Sequence, residues 1–533
     1  MKRFIFIFLI FIVLSGCRPA LEPDGDLLVT SNFSYDFPKI FETFWRGMDR
    51  NYLFWSEEPS PLWFEGVPGQ YIFGMLPAEA RARINKYPEA FWDMIYDEYK
   101  PKFDELGVFL VNGEHFKDPR YIHAANKALD YFYEMTYGLV DGHFSIMFSM
   151  DALAASVDPG LILYNPDPKY NSLARLWPQG PGNLFHGQIR LSLHYSTDDP
   201  PWAKSTFFLS NLSEPVAKQG STLLSALSDF PVNLNPAILD PENYFFTYNY
   251  VENTIAKYLS TNVNVSTKQN ALSVTTGMGI PLKIAKGRIP ISASAGGGEI
   301  AYLLFNITFL SDHSPMVNGA DLAAADGLIT SFLNNDFYDP NVKGLIIDVR
   351  GNTGGRQEDY GYILGRLIDK PLIIGHSRAK AGNGRLDYTP WAPIRLMPAP
   401  PEKRRDEKNI PVVLLVNKGT LSSAEFITMA VRAMPNGTVV GERTNGGSSD
   451  TRDIFTDNGG GFFGGNFQTQ ASGSVVQFAT LDGIVNEGKG MLPDVVVPMT
   501  REYWADFYGL GGRTPRDRQL EAAIKVIDPS RTF

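Results

Sequence analysis

Gly344-Leu-Ile-Ile-Asp-Val-Arg-Gly-Asn-Thr-Gly-Gly355 runs from an unbroken apolar stretch into a charged pair and a glycine-rich turn. Such a run does not alternate with polar residues, so it reads as a strand covered on both faces, the habit of parallel sheets. Similar runs occur at 300–309, 371–375, 410–416, 439–440, 475–479 and 495–497. Helical stretches at 320–333, 360–368 and 423–434 lie between them. Strands alternating with helices predict an α/β domain with a mostly parallel sheet over 299–533. Ser292-Ala-Ser-Ala-Gly-Gly-Gly298, just before it, reads as a linker.

Upstream the texture differs. Phe41, Phe44, Trp45 and Met48 recur at helical spacing, as do Phe91, Trp92, Ile95 and Tyr96, and then Leu129, Phe132 and Met135. These stripes predict an N-terminal helical bundle over 33–150, with the aromatics as its core. Between 151 and 298 helical periodicity fades and short alternating segments appear, which predicts a mixed or β-rich middle domain.

The first residues carry an address. Lys2 and Arg3 precede an apolar run over 4–14, and Leu14-Ser-Gly-Cys17 follows. The run is shorter than the ~20 residues of a membrane span. It suits a secretory signal over 1–17, with 18–32 as a tether. Leu14-Ser-Gly-Cys17 resembles a bacterial lipobox, which implies export and lipidation of Cys17, hence a membrane contact through lipid on the cell envelope. Cys17 is the only cysteine, so no internal disulfide is available. A net charge of -10 and no basic run argue against a nucleic-acid partner. With no His-Glu-x-x-His pattern or Cys cluster, neither a metal nor a cofactor is expected.

Chemistry concentrates at two strand-to-loop junctions, where open α/β sheets bind ligands. One is Asp348-Val-Arg-Gly-Asn-Thr-Gly-Gly355. Its glycines let backbone N–H groups approach a developing oxyanion. The other is Asn417-Lys-Gly-Thr-Leu-Ser-Ser-Ala-Glu425, a strand end feeding a helix. Ser422 there could be a nucleophile, with the Ser423 N–H facing the oxyanion. Ser422-x-x-Glu425 also fits a capping box, the commoner use of that pattern. A serine hydroxyl needs a base. Of seven histidines, His143 in Gly138-Leu-Val-Asp-Gly-His143 closes a helical segment at a glycine turn. An acid must orient it, and Glu487 in Val485-Asn-Glu-Gly-Lys-Gly-Met-Leu-Pro-Asp494 is available.

Together these pieces resemble the C-terminal-processing (tail-specific) serine peptidase family, in its tricorn-core-like branch. The matching segments are Asp141-Gly-His143, Asp348 to Gly355, Thr420-Leu-Ser-Ser-Ala-Glu425 with Val439-Val-Gly-Glu-Arg-Thr-Asn-Gly-Gly447, and Glu487 to Asp494. The resemblance implies a crotonase/ClpP-like α/β core and peptide-bond hydrolysis through an acyl-enzyme, with protein or peptide substrates. By motif position it assigns Ser422 as nucleophile, His143 as general base, Glu487 as the orienting acid, and the N–H groups of Gly354 or Gly355 and Ser423 as the oxyanion hole. Ser423 competes with Ser422, and Asp141 with Glu487. A Ser–Lys dyad is disfavoured because Arg443 stands where that branch carries its lysine, and arginine does not deprotonate. No segment between Ala152 and Ala295 resembles the PDZ carboxylate loop that the family often carries, and Phe144 follows the histidine where Thr is common. The runner-up is a catalytically inactive relative binding peptides or hydrophobic ligands. An esterase is weaker, since no Gly-x-Ser-x-Gly elbow occurs.

Overall fold

A computed structural model describes residues 34–57, 78–110, 118–136, 139–141, 145–149, 188–192, 255–275, 281–417, 419–449, 461–464, 469–472, 476–500, 503, 506–507 and 512–533. The expected signal segment with Cys17, the tether 18–32, most of 151–298, and His143 lie outside the described residues.

The helical layer opens with β1 (Ser34–Asp36) and α1 (Phe37–Asn51). Asp36 caps α1, its carboxylate accepting the Lys39 N–H at 3.0 Å. Then come α2 (Ala78–Lys86), α3 (Ala90–Leu106), β2 (Val108–Leu110), which pairs antiparallel with β1, and α4 (Pro119–Thr136). The aromatic stripes meet as expected. Phe41 stacks on Phe103 at 5.0 Å, and Phe44 meets Phe132 edge-on at 4.8 Å. Trp45 and Trp92 lie parallel, each indole N–H donating to the other's carbonyl, so buried indoles keep their hydrogen bonds.

The remaining elements are β3 (Ser145–Ser149), β4 (Gln188–Ser192), β5 (Ala271–Thr275), β6 (Pro281–Pro290), β7 (Glu299–Phe305), α5 (Gly319–Ser331), β8 (Val342–Asp348), α6 (Tyr360–Leu364), β9 (Leu372–Ala379), β10 (Ala392–Leu396), β11 (Val412–Val416), α7 (Ser423–Ala433), β12 (Gly437–Gly441), β13 (Gly461–Gly464), β14 (Thr469–Ser472), β15 (Val476–Ala479), β16 (Val495–Val496) and α8 (Arg518–Ile527). The main sheet has the order β16-β12-β11-β8-β7-β6-β5. It is parallel from β16 to β7, and β6 and β5 extend it antiparallel.

The apolar runs feed two cores. Leu345 and Ile347 of β8, with Val412, Leu414 and Val416 of β11, pack on the side of α5 and α7. Ile346, Val413 and Leu415 point the other way, towards Leu520, Ala523 and Ile524 of α8. Helices on both faces explain why these strands never alternate with polar residues. This is the expected α/β class.

Two expectations need correction. Ser292 to Gly298 is the turn of the β6–β7 hairpin, closed by the Ile291 N–H on the Gly298 carbonyl at 2.9 Å, and not a linker between domains. The boundary expected at 299 therefore falls inside the sheet, which already includes β5 and β6. Charge hid β6: Lys286 and Arg288 interrupt its apolar pattern, and both pair with Asp336, at 2.7 and 2.9 Å. Two smaller sheets complete the fold, β10-β9-β15 and β13-β14-β3-β4. Among the described residues no helix is long and apolar enough to cross a membrane.

One buried ion cluster ties the glycine-rich loop to the far face. The Arg350 guanidinium, 1% exposed, donates to Asp348 at 2.6 and 2.9 Å and to Asp517 at 3.0 Å. Asp517 is also the N-cap of α8, and Asp348 accepts the Tyr302 hydroxyl at 2.8 Å. Truncation of Arg350 to Ala would leave two buried carboxylates without their cation. We expect a loss of about 3–5 kcal/mol in chemical denaturation; a loss below ~1 kcal/mol, the worth of an exposed pair, would show that the cluster does not hold α8.

Candidate active site

β8 and β11 are parallel neighbours, so the loops that follow them leave the sheet side by side. Two asparagines stitch those loops together. The Asn417 side-chain oxygen accepts the Gly351 N–H at 2.8 Å and the Gly419 N–H at 3.0 Å. Asn352 accepts the Leu421 N–H on its carbonyl and the Gly354 N–H on its side chain, at 2.9 and 2.8 Å. Gly354 has φ +98°, and a Cβ there would lie 2.4 Å from Ser422 Cβ. Only glycine permits that approach.

Ser422 itself has φ 58° and ψ -126°, a region costly for any residue with a side chain. Its N–H donates to the Gly447 carbonyl at 2.7 Å, and its carbonyl accepts the Glu425 N–H at 2.9 Å. Its hydroxyl makes no cap bond, so the capping-box alternative is not what the fold uses. Ser422 is part-exposed, whereas Ser423 is buried with its hydroxyl in the interior and, among the described residues, without a hydrogen-bond partner. Ser423 therefore has no access to a substrate through its side chain. As the first residue of α7, it has no intrahelical acceptor for its N–H. Of the expected oxyanion donors, Gly354 already gives its N–H to Asn352. Among the described residues the Gly355 N–H has no partner, and Gly355 is exposed.

The expected orienting acid, Glu487, lies on the other side of a strap, residues 444–449. Glu487, fully buried, accepts on Oε2 the N–H groups of Ser448 and Ser449 at 3.0 and 3.1 Å and the Ser449 hydroxyl at 2.8 Å. The Gly488 N–H donates to the Gly446 carbonyl at 2.6 Å. Arg443 donates to the carbonyls of Lys489 and Gly490, both at 3.2 Å, and so braces the turn after Glu487. A Cβ on Gly488 would lie 2.7 Å from Val140 Cβ, so the 139–141 segment rests directly on this turn. The Val140 N–H donates to the buried Tyr52 hydroxyl at 3.1 Å. Burial, with the charges of Asp141 and Glu487 nearby, raises that hydroxyl well above its usual range.

The structure thus brings Ser422, Gly354, Gly355, Ser423, Glu487 and Asp141 into one neighbourhood. His143, two residues after Asp141 in the chain, lies outside the described residues. Sequence reasoning gave no role to Thr444, which lies in the quoted segment Val439 to Gly447, or to Ser448 and Ser449, which follow it. Glu425, which a capping box would turn back on the N-cap N–H, is used otherwise. That carboxyl is buried and accepts the Thr444 hydroxyl at 2.5 Å and the Gly446 N–H at 3.0 Å. Burial pushes it up to about 7, against the lowering effect of these bonds.

Residues 322–497 match Peptidase family S41. The carboxy-terminal processing protease CtpA of Bacillus subtilis is 30% identical over 154 residues, which cover 29% of this chain and 28% of that protein. The match therefore spans little more than a quarter of the relative's length. A candidate peptidase from Parabacteroides merdae is 18% identical, covering 94% of this chain and 100% of that one, with a TM-score of 0.46. Mature CPAF is 12% identical, covering 92% of this chain and 96% of that one, with a TM-score of 0.43.

Glu425 gives a pH prediction. Its folded value, about 7, lies above the ordinary 4.5, so between those two the folded state holds a proton that the unfolded state has lost. Stability from this group is then present at low pH and is lost as pH rises through about 7. Thermal melts from pH 5 to 8 should show Glu425→Gln gaining on the wild type as pH rises. Parallel curves would mean that the carboxyl is ionised in the fold throughout.

Proposed function

We propose, for a chain whose residues 322–497 match Peptidase family S41, that it is an exported serine endopeptidase cleaving proteins or peptides through Ser422, His143 and Glu487. The observation that carries this reading is the turn at Ser422. Ser422, part-exposed, sits on a strained backbone with its hydroxyl unused as a cap, packed against Gly354 and directly before the first N–H of α7.

In this reading the Ser422 Oγ attacks the scissile carbonyl carbon while His143 takes its proton. The carbonyl oxygen becomes an oxyanion and accepts hydrogen bonds from the Gly355 and Ser423 N–H groups. The tetrahedral intermediate collapses, the C–N bond breaks, and His143 returns the proton to the leaving amine. Water, deprotonated by the same imidazole, then hydrolyses the Ser422 ester. Glu487 orients His143 and offsets its transient positive charge. The two flanks of His143 support its role. Residues 139–141 rest on Gly488, and β3, which starts at Ser145, is paired to β14 and β4. Glu487 is favoured over Asp141 as the acid because the strap fixes its carboxylate with three N–H and O–H donors at 3.1 Å or less.

Export rests on the Lys2-Arg3, apolar, Leu14-Ser-Gly-Cys17 order, with lipid on Cys17 as the membrane contact. Cys17→Ser should release the chain from the membrane fraction.

A serine-directed fluorophosphonate should label Ser422, and Ser422→Ala should abolish both labelling and peptide cleavage. His143→Ala should lower the cleavage rate by about four orders of magnitude. Labelling that persists in Ser422→Ala would reject the assignment, and a wild type that neither labels nor cleaves would favour an inactive ligand-binding relative.

A further inference from the structure

The nucleophile belongs to the sheet core, whereas the segment leading to His143 leaves the helical layer. Each has its own hydrophobic interior, the aromatic cluster of α1, α3 and α4 on one side and the two sheet cores on the other. What joins them decides whether base and nucleophile meet. The loop between β9 and β10 is an arm reaching from the core onto the helical layer, and its tip is Arg385. Lys380, buried, holds the tip in shape by donating to the carbonyls of Gly384 and Arg385, both at 2.6 Å. The Arg385 guanidinium donates to Asp49 at 2.5 Å, to Asp93 at 2.7 Å and to the Glu89 carbonyl at 2.8 Å. It also lies 5.6 Å from the Trp45 ring and 5.8 Å from the Trp55 ring. Two acids, a carbonyl and two aromatic faces enclose one cation, which only a planar fork fills.

Behind the tip the contacts run along residues 49–57 of the helical layer. The Tyr388 hydroxyl donates to the Leu53 carbonyl at 2.8 Å, Arg378 to the Ser56 hydroxyl at 3.0 Å, and Lys489 to Glu57 at 2.9 Å. The same stretch holds Tyr52, whose hydroxyl accepts the Val140 N–H. A continuous line of contacts therefore runs from the arm through 49–57 to the segment before His143.

We propose that Arg385 is a positioning residue: its clasp on Asp49 and Asp93 sets the helical layer, and with it His143, against Ser422. This rests on the triad reading above. Loosening the clasp shifts one layer against the other without emptying either core. A base misplaced by ~1 Å costs on the order of 100-fold in rate.

The test uses the full chain and a fluorophosphonate probe, with kcat and KM on a short fluorogenic peptide. Arg385→Ala should lower the labelling rate and kcat by ~10- to 100-fold, with KM little changed and still one label per chain at completion. Arg385→Lys, which cannot fork between two acids, should fall between. A merely destabilised protein would behave otherwise, with fewer labelled chains at an unchanged rate, and that result in both variants would overturn the proposal. So would wild-type rates in Arg385→Ala. If that variant does not fold, Asp93→Asn keeps the volume and is read the same way. A wild type unlabelled at Ser422 would sink the triad reading, and this proposal with it; a labelled wild type with unaffected Arg385 variants would sink this proposal alone.

Discussion

The strap 444–449 is the constraint on which the site depends. Its Gly447 carbonyl takes the Ser422 N–H, its Thr444 hydroxyl and Gly446 N–H take the Glu425 carboxyl, and its Ser448 and Ser449 donors take Glu487. Six residues thus hold the Ser422 turn and the Glu487 carboxylate at once. Thr444, Ser448 and Ser449 are each at most 2% exposed, so these bonds work in a low dielectric where each is stronger and its loss more costly. The strained backbone at Ser422 persists because its two neighbours along the chain, Leu421 and Ser423, are fixed by Asn352 and by the start of α7.

Beneath the strap, the parallel sheet supplies adjacency. β8, β11 and β12 end on the same edge, and each contributes a loop to the site: 349–355, 417–422 and 442–449. The buried Arg350 cluster anchors the first loop from below, and Asn352 and Asn417 join the first to the second. The geometry of the candidate site is a property of strand ends.

Much of this was legible in the sequence, because its causes are local. Apolar runs without alternation announce two-sided burial, and the glycine-rich turn after β8 announces a backbone that must come close to something. The Ser422 pattern was legible but ambiguous, since a capping box and a nucleophile turn share the same letters. φ 58° and an uncapped hydroxyl set the capping box aside. What stayed hidden was long-range pairing. β6 carries Lys286 and Arg288, and nothing nearby in sequence tells that Asp336 neutralises both. The partners of Glu425, Thr444 and Gly446, lie about twenty residues on, so the sequence around it offers only the capping-box alternative. The arm at Arg385 is likewise mute in sequence, since its acids are some 290 and 340 positions away.

A crystal structure of the fluorophosphonate adduct tests the central claim most directly. The account predicts phosphorus bonded to Ser422 Oγ, a phosphonyl oxygen within about 3.1 Å of the Gly355 and Ser423 nitrogens, and the His143 imidazole between Ser422 and the Glu487 carboxylate. An adduct on another residue, or an imidazole turned away from Glu487, would contradict it.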